Sequence, residues 1–278
     1  MLTATQLAHY HEHGYVVLDG FVSDHWLTRL NQVTESFIDH SRSVTVSNRQ
    51  FDIEPNHSST MPRLRRLNSP VDQDETYWEF AAQSEIVDLA EAILGPNIKF
   101  HHGKLNFKWA HGGEAVKWHQ DIQFWPHTNY DLITIGVYLE DVVAGQGEMG
   151  FIPGSHLGDL YDQYDGERWT GHIKDADLPT LNVEAAVFPV GRAGTVTIHN
   201  CRTVHGSLPN LSAQKRPLLL QTYAAADAFA YTDLVRTQPH GERIIRGQAA
   251  RWARHDPRPC QVPPAKVGTI FQAQQREM

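Results

Sequence analysis

Hydrophobic positions near the start of the chain repeat with a helical period, and from about residue 98 they repeat with an extended one. Thr3-Ala4-Thr5-Gln6 has a capping-box pattern, in which a threonine oxygen and a glutamine side chain satisfy the first free amides of a helix, so a short helix to about His13 is predicted. Gly14-Tyr15-Val16-Val17-Leu18 is β-branched and aromatic, which predicts a strand. Ser23-Asp24 then caps a helix with Trp26, Leu27, Leu30, Val33 and Phe37 on one face. Residues 41–74 are polar and without a clear period, and read as loop, part of it over a pocket mouth. Ile86, Leu89, Ala90 and Ile93 give residues 84–94 a helical face, and Gly95-Pro96 stops it.

Beyond that stop, strands are predicted at 98–101, 104–109, 116–121, 132–139, 150–152, 195–199 and 217–224. Short strands punctuated by Gly and Pro, with helices before them, indicate a mostly β fold, a jelly roll with flanking α-helices on one side. Residues 157–190 are long, polar and weakly patterned, as expected of an insertion or lid between strands, and about 227–278 form a C-terminal extension. Without a repeat or linker, residues 1–278 read as one domain. The composition agrees: 41% hydrophobic and 20% charged residues in 278 suit a sizeable core.

A formal net charge of -8 and a pI near 6.1 argue against a nucleic-acid partner. No run approaches the roughly 18 apolar residues of a membrane span, and the first residues lack a secretory pattern, so no membrane association and a cytoplasmic location are expected. Cys201 and Cys260 are too few for a disulfide framework and read as reduced thiols. A monomer and a homodimer are both compatible with the chain.

The chemistry concentrates in Trp118-His119-Gln120-Asp121 and Thr203-Val204-His205-Gly206-Ser207. On a strand, residues i and i+2 share a face, so His119 and Asp121 can bind one metal ion, and a histidine from a distant strand completes two imidazoles and a carboxylate. That set is the facial triad of non-haem Fe(II) oxygenases, which leaves positions open for co-substrate and O2. The order of Gly14-Tyr15-Val16-Val17, His119-Gln120-Asp121, Ile152-Pro153-Gly154-Ser155-His156, His205-Gly206-Ser207 and Arg216-Pro217 resembles the phytanoyl-CoA dioxygenase family of Fe(II)- and 2-oxoglutarate-dependent oxygenases, over about residues 4–226.

The resemblance implies a double-stranded β-helix, a cupin-like jelly roll, with His119, Asp121 and His205 as both iron ligands and catalytic centre. Arg216 matches the arginine that holds the far carboxylate of 2-oxoglutarate, Ser207 a hydroxyl that assists it, and Asn106 a polar residue touching the co-substrate. A guanidinium offers paired donors that match a carboxylate fork, and a charge carried inward at the start of the apolar segment 217–223 needs an anionic partner. The implied activity is oxidation of a small-molecule metabolite, in secondary metabolism, by hydrogen abstraction, with release of succinate and CO2. Hydroxylation, desaturation, ring formation and epimerisation all start from that step. Related halogenases carry a small residue at the Asp121 position, so the aspartate points to oxygenation.

Other readings stand beside this one. An inactive jelly-roll binding protein would fit the fold, and a zinc hydrolase could use the same two histidines and aspartate, although Arg216 has no role there. Among 17 histidines, His101, His102, His111, His127 and His199 lack partner spacing and read as solvated or hydrogen-bonded, and His156 as structural. Cys201 reads as a small strand residue. Trp118, Phe124, Trp125 and Tyr138 are core or pocket aromatics, those after Asp121 being the better pocket candidates. The arginines between 235 and 258 read as a solvated helix face or subunit contact rather than recognition of an anionic substrate such as an acyl-CoA.

Overall fold

The structure, a computed structural model, describes residues 1–233, 238–265 and 270–275. Helices α1 (Ala4–His13), α2 (Asp24–Ser41), α3 (Glu75–Gln83) and α4 (Ile86–Leu94) lie in the first third, with strands β1 (Tyr15–Leu18), β2 (Phe51–Ile53) and β3 (Leu64–Asn68) between them. The strands that follow are β4 (Ile98–Lys108), β5 (Val116–His119), β6 (Leu132–Tyr138), β7 (Met149–Phe151), β8 (Tyr164–Asp165), β9 (Arg168–Trp169), β10 (Val196–Asn200), β11 (His205–Ser207), β12 (Arg216–Ala225) and β13 (Ile244–Arg246). A final helix, α5 (Ile270–Gln275), ends the described chain.

An eight-stranded sheet runs β1-β10-β6-β12-β4-β3-β2, with β13 also on β4, and a smaller sheet runs β5-β11-β7. Period-two alternation sorts the large sheet between two layers. Leu105, Phe107, Ile133, Ile135, Val137, Leu219 and Tyr223 pack with the helices, among them Leu30 and Phe37 of α2 and Leu89 of α4. Tyr138, Leu218 and Leu220 point the other way and pack on Met149 and Phe151 of the small sheet. Both faces of β6 are therefore covered, which is why all seven of its residues are buried and its sequence shows no polar alternation. This two-sheet jelly roll with helices on one face is the predicted class. Leu157 to Val190 holds the hairpin of β8 and β9 and otherwise only single turns.

Several local readings change. The capping box is present at Thr3, but the Ser23 side chain makes no cap bond to α2. Segment 41–74 is not all loop, since it contains β2 and β3, and α3 precedes a shorter α4. The two strands read at 98–101 and 104–109 are one continuous β4. Its pairing with β12 shifts between Thr222 and Tyr223, so an extra residue at His101 bulges the strand and breaks the sequence period there. Cys201 follows β10 in a turn rather than lying in a strand, and both cysteines are free. Among the described residues, no helix is long and apolar enough to cross a membrane.

Candidate active site

β5 delivers His119, and the chain then leaves the sheet. Gln120 is still extended (φ −119°, ψ 124°), while Asp121 opens a single 3-10 turn rather than continuing the strand. The extended residue between them preserves the shared direction of His119 and Asp121. Gln120 points the opposite way and pins the turn: its Nε2 donates to Arg202 O (2.9 Å) and Asp159 O (3.1 Å), and its Oε1 accepts from Tyr161 N (3.0 Å). β11 runs antiparallel to β5 with His205 directly opposite His119. Their rings lie 4.1 Å apart between centroids.

His119 Nε2 and His205 Nε2 each lie 3.8 Å from Asp121 Oδ1, and one ligand atom from each residue lies within 4.8 Å of the others. Backbone carbonyls behind the two rings fix which atoms face inward. His119 Nδ1 meets Lys117 O at 2.9 Å and His205 Nδ1 meets Thr203 O at 3.0 Å. A carbonyl only accepts, so both Nδ1 atoms carry the proton and both Nε2 lone pairs are left for a metal. Burial keeps both imidazoles neutral, His119 held down to about 4 and His205 well below the ordinary histidine value. Burial opposes the charge on Asp121, but Lys104 first among its neighbours holds the carboxyl well below the usual range. Asp121 Oδ2 accepts from Thr134 Oγ1 at 3.2 Å and lies 3.5 Å from His199 Nε2, leaving Oδ1 directed at the histidines. Two neutral imidazoles and an ionised carboxylate, all buried, are a donor set suited to iron(II).

The same cavity contains Asn106, Ser207 and Arg216. Arg216 starts β12 opposite Lys108 and is 3% exposed. Its Nε and Nη1 have no hydrogen-bond acceptor among the described residues, so the guanidinium presents donors to the cavity where a dicarboxylate would need them. Leu218, Leu220 and Met149 supply the apolar wall. Asn106 Oδ1 accepts from Arg66 Nε at 2.8 Å, which leaves its amide nitrogen for a ligand.

Sequence reading missed Arg66, Lys104 and Lys108, which line this cavity, and Phe271 of α5, which covers it. The signal was present in β4: Lys104, Asn106 and Lys108 alternate with the core residues Leu105 and Phe107, and a polar inner row looks in sequence like a solvated face. His101, His127 and His199 are fully buried and not solvated; His111 is exposed. His101 Nδ1 meets His102 Nδ1 at 2.5 Å, and His127 Nδ1 meets Trp125 O at 2.6 Å. His156 bonds to His11 O at 3.1 Å, away from the ligands, as its structural reading requires.

Phe124 lies edge-on to His119 at 5.6 Å, Trp125 packs on His101, and Tyr138 is core, its hydroxyl donating to Pro189 O at 2.9 Å. Trp118 turns towards Phe188 and lines a different depression. The arginine-rich segment is not helical among its described residues. Arg246 lies 3.9 Å from Asp88, and Arg254 and Arg258 reach Asp227 and Asp256, so these charges are used on the surface; Arg236 lies outside the described residues.

Comparison with known proteins points to the class of enzyme. Residues 10–218 match the family model of phytanoyl-CoA dioxygenase. A probable alpha-ketoglutarate-dependent hypophosphite dioxygenase of Stutzerimonas stutzeri is 33% identical over 266 residues, covering 94% of this chain and 92% of the relative. L-proline trans-4-hydroxylase of Streptomyces griseoviridis is 31% identical, covering 77% and 83%. Among solved structures, EctD from S. alaskensis with bound Fe superposes with a TM-score of 0.73 at 22% identity, covering 90% of this chain and 88% of that one. The fold and the buried His-Asp-His set define a non-haem iron oxygenase, and the chain belongs to the phytanoyl-CoA dioxygenase family. It is an Fe(II)- and 2-oxoglutarate-dependent dioxygenase.

Proposed function

We propose that His119, Asp121 and His205 hold the iron, that Arg216 and Ser207 hold the far carboxylate of 2-oxoglutarate, and that the Asn106 amide nitrogen touches the co-substrate. One observation carries the reading: of three converging metal-type donors, His119 and His205 line the same cavity as a guanidinium with two unpartnered donors. Iron(II) with 2-oxoglutarate and O2 supplies the oxidation, with hydrogen removal from the substrate and release of succinate and CO2.

The chain's own residues supply the rest. Lys117 O and Thr203 O orient the two imidazoles, Thr134 and His199 orient the carboxylate, and Leu218, Leu220 and Met149 exclude water from one side. The Arg216 fork fixes the direction in which the co-substrate enters. The segment 157–190 forms a wall on the Asp121 side, where Trp169 meets Phe124 at 4.6 Å between ring centroids. The substrate is a small metabolite and the compartment is the cytoplasm, consistent with the two free thiols. Relatives named for hypophosphite and for proline share no substrate skeleton, so likeness alone does not choose one.

Anaerobic addition of Fe(II) and 2-oxoglutarate should give the weak visible charge-transfer band of the chelated complex. Asp121→Ala and Arg216→Ala should each abolish it at the same concentrations. A band that survives both substitutions, or no band in folded wild-type protein, would refute the assignment.

A further inference from the structure

Among the described residues, only one element that lines the iron cavity is not part of a sheet. Most of the lining comes from β3, β4, β5, β7, β11 and β12, and the remainder is Ile270 and Phe271 of α5. Segment 157–190 contributes none of the described lining residues, so the insertion is not the cover. The site is sealed: His119 and Arg216 are each 3% exposed, and Phe271 is 5% exposed. A dicarboxylate on its way to Arg216 must therefore pass an element that moves. Shifting the strands breaks backbone ladders, since β4 is paired with β3 and β12, and β11 with β5 and β7.

Moving α5 breaks no ladder. Its 6 residues are fewer than the roughly 12–15 that a helix needs to persist alone in water, and it has neither an acid in its first turn nor a base in its last to support it. It is helical because it is docked, chiefly through two side chains. The Phe271 ring lies 5.2 Å from the guanidinium carbons of both Arg65 and Arg66. The Gln274 side chain, 8% exposed, is held at both ends: Oε1 accepts from Lys117 N at 3.0 Å, on the edge strand of the small sheet, and Nε2 donates to Gly171 O at 3.0 Å. These contacts can be given up without stranding a charge. Arg65 keeps Asp52 at 3.6 Å and Glu114 at 3.4 Å, Arg66 keeps Asn106 at 2.8 Å, and water can replace the Gln274 amide at Lys117 N and Gly171 O. Upstream, the tail is fastened separately: Gln261 Oε1 accepts from Gln163 N at 3.1 Å and the Tyr164 hydroxyl donates to Val262 O at 2.8 Å. Release of α5 therefore leaves that part of the tail in place.

We propose, on the basis of the iron and 2-oxoglutarate assignment above, that α5 is the gate of this enzyme. It undocks as a unit to admit 2-oxoglutarate and to release succinate, and it redocks to shut the cavity for the oxidation. Phe271 is the plug, placing an apolar ring over the mouth and keeping water from the centre. Gln274 is the latch, joining β5 to the Gly171 turn across α5. Such local release of a short element, with the sheets intact, is the ordinary low-energy opening of a folded protein.

The test measures arrival and departure of the co-substrate in the full-length protein. Stopped-flow mixing of anaerobic Fe(II)-loaded protein with 2-oxoglutarate gives the rate at which the visible band forms, and chasing bound radiolabelled 2-oxoglutarate with unlabelled gives the rate of its loss. A gate scales both rates together. Gln274→Ala, which removes both latch bonds, should raise each about fivefold or more while the dissociation constant changes less than about twofold. Gln274→Glu keeps an acceptor for Lys117 N but loses the donor to Gly171 O, and should fall between. Phe271→Ala should speed both steps as well. Unchanged rates in well-folded Gln274→Ala and Phe271→Ala proteins would overturn the proposal. So would faster departure with unchanged arrival, which would make α5 a direct contact of the co-substrate. Absence of the band in wild type would overturn it by removing the reading beneath it, and that outcome is distinct from a band whose kinetics ignore α5.

Discussion

Thr134 is the residue through which the large sheet grips the metal ligand, and Thr134→Val tests that grip. Its hydroxyl has one proton, given to Asp121 Oδ2 at 3.2 Å, so the 3.0 Å contact with Thr222 Oγ1 is donated by Thr222. Valine is nearly isosteric and suits a buried strand, so the fold should survive. A hydrogen bond to a charged acceptor contributes about 1.5–3 kcal/mol, and Thr134 is 1% exposed, so water cannot easily replace it. At about 1.4 kcal/mol per tenfold, complete transfer of that loss to the loaded state would weaken Fe(II) binding roughly 10- to 100-fold. His199 remains 3.5 Å from the same oxygen, which places the expected effect near the lower end, about tenfold. Thr222→Val removes only the bond behind it and should cost less than about threefold. Anaerobic competition against a chromogenic iron chelator measures both. Equal affinities for wild type and a well-folded Thr134→Val protein would refute the claim that this hydroxyl orients the ligand.

Three further outcomes are expected. Gly206→Ala would bring a Cβ within 2.8 Å of Val116 O and 3.2 Å of the Trp118 ring, forcing β11 from β5; iron affinity should fall by about tenfold or more with far-ultraviolet circular dichroism little changed. Phe271→Ala removes a 5%-exposed ring that lies 5.2 Å from the guanidinium carbons of both Arg65 and Arg66, and should lower Tm by roughly 3–8 °C while the Fe(II)/2-oxoglutarate band still forms. His102 is pushed down to about 3 by burial and then by Lys104, so from pH 6.5 downwards the unfolded chain takes a proton that the folded chain refuses. Its contribution to stability is therefore intact above pH 6.5 and is lost as pH falls, by at most about 1.4 kcal/mol per unit, and His102→Asn should flatten the decline of denaturant midpoint between pH 7 and pH 5.

The metal-ligand candidates and Arg216 were legible because each lies in a short motif whose order along the chain is informative. The apolar strands β6 and β12 were legible because both their faces are buried. The polar inner row of the cavity was not. Leu64-Arg65-Arg66-Leu67-Asn68 carries its charges where a surface strand would carry them, and nothing local says that Arg66 faces Asn106 rather than solvent. β4 hid its length in the same way, because two histidines and Gly103 interrupt the period at a bulge. Gln120 illustrates a further limit: its three-way anchoring depends on Arg202, Asp159 and Tyr161, tens of residues away in sequence.

His119 and His205 hang from the three-stranded sheet, whereas the second oxygen of Asp121 is held by Thr134 and His199 of the eight-stranded one. An ion bound by all three is then a fastener between the layers as well as a reaction centre. Loading should slow amide exchange along β5 and β11 far more than along β6, and unloading should let the short strands open locally while the helix-backed sheet stays closed. Metal supply would in that way set how readily proteases reach one edge of the molecule.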